Sequence, residues 1–157
     1  MTTLRSSLFI LSLLTLFASC DPNRVYDDNQ DVPGYIWNGD FKPSFTVQID
    51  DTVAHYNIYI NVRHTTFYQF SNLWIMTTTI FPDGKKLDKR VELELADTDG
   101  RWYSDCLGDI CDIQIQIQKN AIFQTPGSYT FQFEQIMRKE NLPFVMSMGL
   151  RVEKVAE

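Results

Sequence analysis

Apolar and polar residues alternate with a period of two through most of the chain beyond Phe41. Phe45, Val47 and Ile49 alternate with Thr46, Gln48 and Asp50, and Tyr56, Ile58, Ile60 and Val62 alternate with Asn57, Tyr59, Asn61 and Arg63. The pattern returns in Val91, Leu93 and Leu95 between glutamates, and in Ile113, Ile115 and Ile117 between glutamines. Tyr129, Phe131 and Phe133 repeat it, as do Met146, Met148, Leu150 and Val152, while Leu73 to Phe81 is β-branched and aromatic. Successive side chains of a strand point to opposite faces, so each run carries one apolar face. Pro82-Asp83-Gly84, Asp97-Thr98-Asp99-Gly100 and Thr125-Pro126-Gly127 supply turns between the runs. Short strands at near-regular spacing predict an all-β domain over residues 35–157, an antiparallel β-sandwich of jelly-roll or immunoglobulin-like kind. No segment keeps a helical period for three turns, although Asn120 to Gln124 is compatible with a short helix.

The start of the chain departs from this pattern. Arg5 precedes a mostly apolar run from Leu8 to Phe17, and Ala18-Ser19 leads into Cys20. Such a run is too short to cross about 30 Å of hydrocarbon as a helix, which needs roughly 20 residues. It has the parts of an export signal. A cysteine directly after it is what a bacterial lipoprotein presents, because the thiol takes the diacylglycerol before the preceding peptide bond is cut. Residues 1–19 are thus expected to be a cleaved signal peptide, with Cys20 lipidated. A plain cleaved signal and an uncleaved anchor are the alternatives. Two or three acyl chains hold a protein firmly on a membrane surface, at about 0.8 kcal/mol per buried methylene.

Asp21 to Gly34 contains four aspartates, two asparagines, two prolines and a glycine, with only Val25, Tyr26 and Val32 apolar. That composition predicts a flexible tether over residues 20–34. Extended, it reaches about 45 Å. Loss of residues 1–19 leaves 13 basic and 20 acidic residues, a formal charge of −7 over 138 residues. The length suits one domain. The acidic balance argues against nucleic acid as a partner and against a basic patch on anionic lipid. No cofactor is implied beyond the covalent diacylglycerol and N-acyl lipid on Cys20.

Several segments together resemble one family. They are Tyr56-Asn-Ile-Tyr-Ile-Asn-Val-Arg-His-Thr65, Asn141-Leu142-Pro143, Met148-Gly-Leu-Arg-Val-Glu-Lys154, Ser71-Asn72-Leu73, Phe81-Pro-Asp-Gly-Lys85, Leu107-Gly-Asp-Ile110 and Cys20-Asp-Pro-Asn-Arg-Val-Tyr26. As a set they resemble the GldH family of gliding-motility lipoproteins. The resemblance implies a cell-envelope lipoprotein of Bacteroidota-type bacteria, on a membrane whose identity the sequence leaves open. It implies association with other gliding or secretion envelope proteins, and it brings no catalytic residues. Cys111 stands where this family's pattern carries a tyrosine.

Cys106 and Cys111 remain as thiols. A disulfide, with Gly108 allowing the bend, and two unpaired thiols are both open, and the former would contribute roughly 2 kcal/mol. A metal site would draw on His55 and His64, which lie far off in sequence. Asp97, Asp99, Asp105, Asp109 and Asp112 form an acidic segment, but the calcium-loop pattern lacks its closing glutamate, and a solvated turn is expected. No Ser-His-Asp or Cys-His motif is present, and no catalysis is expected. Tyr59 falls on the polar face of its strand beside Asn61 and Arg63, which marks these three as a candidate protein-interaction surface. Envelope carbohydrate binding is the alternative, with Trp37, Trp74, Trp102, Tyr35, Tyr59, Tyr68 and Tyr103 as rings for stacking.

Overall fold

The structure, a computed structural model, describes residues 22–156. Eleven strands are present: β1 (Arg24–Asp31), β2 (Ile36–Asn38), β3 (Ser44–Ile49), β4 (Tyr56–Thr65), β5 (Asn72–Ile80), β6 (Lys86–Glu94), β7 (Asp105–Leu107), β8 (Ile110–Ala121), β9 (Gly127–Gln135), β10 (Asn141–Pro143) and β11 (Val145–Lys154). One sheet has the order β1-β11-β4-β8-β7 and the other β3-β9-β5-β6, and all pairs are antiparallel. Leaving out the three-residue strands, the sheets read 1-11-4-8 and 3-9-5-6, and the chain passes repeatedly from one to the other. That is jelly-roll topology, which decides between the two sandwich types. β2 and β10 form a separate two-stranded ribbon.

The alternation seen in the sequence builds the core. Ile58, Ile60 and Val62 of β4 and Met148, Leu150 and Val152 of β11 face inward, meeting Phe45, Val47, Leu73, Ile75, Tyr129, Phe131 and Phe133 of the opposite sheet. The Phe45 and Phe133 rings lie 5.5 Å apart, and Trp37 is fully buried with its indole N–H donated to the Phe41 carbonyl at 2.8 Å. Removal of this apolar area from water is the main favourable term in folding.

Two expectations are corrected. Residues 24–31, assigned to the flexible tether, are β1, paired with β11 from Arg24↔Glu153 to Asp31↔Ser147. Composition misleads here because an edge strand is held by backbone hydrogen bonds and needs few apolar side chains. Tyr26 and Gln30 tuck under, the Tyr26 ring edge-on to Phe45 at 6.5 Å and Gln30 Nε2 donating to the Ser44 carbonyl at 2.7 Å. The charged side chains suit an edge, since they discourage pairing with another chain. Asn120 to Gln124 forms no helix. β8 runs on to Ala121 opposite Tyr56, and Asn120 takes a left-handed conformation with φ 53° while its N–H bonds the Asn57 side chain.

The strands give the sandwich two distinct ends. Asn23, Lys154, His55 and Ala121 lie at one, here called the base, where the Lys154 N–H bonds the Asn23 carbonyl and Val155 bonds His55. Asp51 accepts from Lys154 Nζ at 2.9 Å and from two backbone N–H groups, which pulls its carboxyl pKa down to about 2. Asp31, Thr65, Ile110 and Val145 lie at the opposite end, the tip. A chain that begins at Pro22 is expected to keep the unfolding midpoint of the domain. One that begins at Val32 is expected to lose at least about 3 kcal/mol in urea titration, since the β1–β11 hydrogen bonds go with it. Equal midpoints would mean that the segment is a tether after all.

Candidate functional site

The outward face of the five-stranded sheet is polar, and its register aligns it in rows. Asp27, Arg151, Tyr59 and Gln116 stand side by side across β1, β11, β4 and β8. Asn29, Gly149, Asn61 and Gln114 form the next row, and Asp31, Ser147, Arg63 and Asp112 the next. Bonds run across these strands. Gln114 Nε2 donates to Asn61 Oδ1 at 2.9 Å, and Asn61 Nδ2 donates to Asp27 Oδ1 at 3.2 Å. Arg151 donates to the other Asp27 oxygen at 2.8 Å and also pairs with Glu153. Arg63 engages both oxygens of Asp112, at 2.8 and 3.2 Å. These ion pairs are partly solvated and each contributes about 0–1 kcal/mol.

A shallow depression of about 400 Å³ lies over this face, lined by Asp27, Asn29, Asp31, Asn61, Arg63, Asp105, Asp112 and Gln114. Beneath Asn29, between it and Asn61 in the middle row, lies Gly149. A Cβ there would collide with the Asn29 side chain and lie 2.7 Å from the Asp28 carbonyl oxygen, so the missing side chain is what lets β1 close over β11. Asn61 and Arg63 were read onto this face from the sequence, and both line the depression; Tyr59 is half-buried on the same face, one row toward the base. The partners contributed by β1 went unread because that segment looked like a tether.

Residues 24–152 match the family described as GldH lipoprotein. The chain belongs to the GldH lipoprotein family. The match begins at the first residue of β1, so the edge strand belongs to the family's domain. A gliding motility lipoprotein GldH homolog of Christiangramia forsetii is 30% identical, with 94% of this chain and 93% of that protein aligned. The gliding motility lipoprotein GldH of Flavobacterium johnsoniae is 27% identical over 95% and 96%. Among solved structures, a carbohydrate-binding module specific for non-crystalline cellulose superposes with a TM-score of 0.44 at 10% identity, over 83% of this chain and 73% of that one. A likeness that loose carries no functional inference.

Two of the segments that carry the resemblance, Tyr56–Thr65 and Met148–Lys154, occupy the two central long strands of the polar sheet. β4 and β11 lie side by side, and their outward residues make the floor of the depression. Cys20 lies outside the described residues. Among the described residues no cluster of three or more His, Cys, Asp or Glu is placed to hold a metal ion. Asp97 instead closes its own turn, accepting from the Asp99 and Arg101 N–H groups and from Arg101 Nε. The rings considered for sugar stacking are dispersed. Trp37 and Tyr68 are buried, Trp74 lies under the Arg90 guanidinium, and Tyr35 and Tyr103 are exposed in separate loops.

Cys106 and Cys111 are joined by a disulfide across the β7–β8 hairpin, where they stand opposite each other in register. His64 is the next residue across, paired with Cys111 on β4 and fully buried. Its Nδ1 lies 3.0 Å from the Thr65 carbonyl and its Nε2 2.8 Å from Ser104 Oγ. A carbonyl only accepts, so Nδ1 carries the proton of a neutral ring and Ser104 donates to Nε2. That order is shared with nucleophile–base pairs. Here the ring is sealed beneath Trp102, 4.6 Å away, and Tyr68, so the pair fastens the crossover before β7 to β4.

Burial holds the His64 pKa below the usual imidazole value. Stability linked to it is therefore complete above about pH 6.5 and is lost as pH falls toward the lowered folded pKa, because the unfolded chain binds the proton first. Urea midpoints are expected to drop between pH 7 and pH 5, and His64→Gln to flatten that drop. Gly149→Ala is expected to cost about 1–3 kcal/mol through overpacking. Adding Asn29→Ala should recover part of the loss but not all, since the Asp28 carbonyl stays in place. An unchanged midpoint in Gly149→Ala would show that β1 yields freely.

Proposed function

We propose that this protein is a membrane-anchored lipoprotein of the bacterial cell envelope that supports the gliding and adhesin-secretion machinery by holding protein partners beside the membrane. The gliding-motility names of its relatives support the setting. The observation that carries the mechanism is the position of β1. Arg24 opens the strand four residues after Cys20, a span of at most about 14 Å. Acyl chains on Cys20 therefore hold the base of the sandwich near the headgroups, and the tip projects away. β4 alone extends about 33 Å from base to tip at 3.3 Å per residue.

In this reading the protein positions and does not transform. Confinement to a surface raises the effective concentration of the domain near other membrane-bound proteins without any new contact. Short attachment also limits orientation, so one end is presented. Cys20→Ser is expected to leave the fold intact, to move the protein from the membrane to the soluble fraction, and to abolish gliding in a host that glides. A serine variant that stays in the membrane fraction and supports normal gliding would sink the proposal.

A further inference from the structure

We propose that the tip is a docking surface for a protein partner that presents an apolar cleft bordered by lysine or arginine. The proposal rests on the anchored orientation above. Five of the large apolar side chains that the fold leaves in water gather at this end: Leu107 at 90% exposure, Phe67 at 61%, Tyr35 at 51%, Ile36 at 45% and Ile110 at 42%. Single exposed apolar residues are ordinary, whereas contiguous ones mark contact sites.

These five come from distant segments, and the backbone ties them together. Leu107 and Ile110 face each other at the end of the β7–β8 hairpin, and Ile110 stands opposite Thr65. The next residue, Thr66, donates its N–H to the Asp109 carbonyl at 2.9 Å, which brings the Phe67 loop against the hairpin. The Phe67 ring lies 6.0 Å from Phe144, whose N–H bonds the Tyr35 carbonyl at 2.8 Å, and Ile36 pairs with Pro143.

The mount is rigid. The disulfide clamps the three-residue β7 to β8 one step behind Leu107 and Ile110. Gly108, with φ 62° in the two-residue turn, supplies the conformation that this hairpin needs. Tyr35 and Phe144 both sit in left-handed conformations, φ 58° and 73°, that bulky residues rarely adopt. Unfavourable backbone of this sort concentrates at functional sites.

Charge indicates what covers the patch. Asp105 and Asp112 share the outward face with Leu107 and Ile110, while Asp109 lies in the turn and Asp31 at the end of β1, all exposed. Arg63 is the cation among them, and Asp112 engages it. An acidic rim disfavours a second copy of the same surface and an anionic bilayer, and favours a basic border. The lipid-bearing end lies at the opposite pole.

The test places a photo-crosslinking residue at Leu107 or Phe67 of the lipidated full chain in intact cells, with Val53 at the base and Lys89 on β6 as controls. Adduct masses are read after purification. Leu107 and Phe67 are expected to trap the same protein, Val53 and Lys89 not to trap it, and the mapped contact to be flanked by basic residues. Asp105→Lys with Asp109→Lys should lower the Leu107 adduct about tenfold or more. Replacing Cys106 and Cys111 by alanine should lower it less, with circular dichroism confirming the fold. Membrane-bound protein that gives no tip adduct, a self-adduct, a lipid adduct, or equal adducts at all four positions would overturn the proposal. Protein missing from the membrane fraction would instead count against the anchored reading.

Discussion

The packing of β11 between β1 and β4 is the constraint on which the rest of this molecule turns. β11 is the last long strand to leave the chain, yet it is central in the five-stranded sheet, with one neighbour from the start of the domain and one from its first third. It carries Met148, Leu150 and Val152 into the core on one face and Arg151, Gly149 and Ser147 into the polar surface on the other. Gly149 is where the two demands meet. Any side chain there would lift β1, which would free Asp27 from Arg151 and Asn61 and loosen the depression. Contacts of such high sequence separation carry a large loop-closure cost, so a sheet built on them is slow to close on topological grounds.

On the proposed lipidation of Cys20, the same pairing also sets the relation of the domain to the membrane. A disordered leader of fourteen residues would let the sandwich roam at any angle above the membrane. A strand that begins at Arg24 removes most of that freedom. In that anchored reading the base carries the constraint of the anchor, including the Asp51–Lys154 pair that ties the end of β11 to the loop before β4, and the tip carries the exposed apolar surface. Contact area on a mobile leash pays an ordering cost at every encounter. A domain held in orientation has met part of that cost beforehand.

How legible this was depends on which physical term held each element. β3, β4, β6, β8, β9 and β11 were plain in the sequence because one face of each is at least partly buried and the period of two writes that burial into the side chains, while β5 showed as a continuous β-branched and aromatic run. β1, β2, β7 and β10 were not, because backbone pairing, a disulfide or a single buried residue such as Trp37 or Leu142 holds them, and none of these leaves a repeating pattern. Asn61 and Arg63 could be placed on a polar face from strand alternation alone. Their partners Asp27, Gln114 and Asp112 depend on register between strands, which a single strand does not encode. The tip patch was less visible still, since Tyr35, Phe67 and Leu107 come together only through the loops that join the sheets.

The two surfaces differ in a way that bears on their roles. On the polar face most charges are already answered within the sheet: Arg63 by Asp112, Arg151 by Asp27 and Glu153, Asn61 by both Asp27 and Gln114. A ligand docking there would have to replace satisfied bonds, and exchange of that kind yields little net free energy. At the tip, Leu107 and Phe67 have no such partners to give up, and covering them releases water at about 25 cal/mol per Å². On the proposed docking, the acids beside them act on encounter rate and on selection among partners more than on final affinity. The Cys106–Cys111 disulfide fits this division. It lies beneath the tip and away from the balanced centre, and it belongs to a compartment outside the cytoplasm, where such bonds persist and where this lipoprotein family resides.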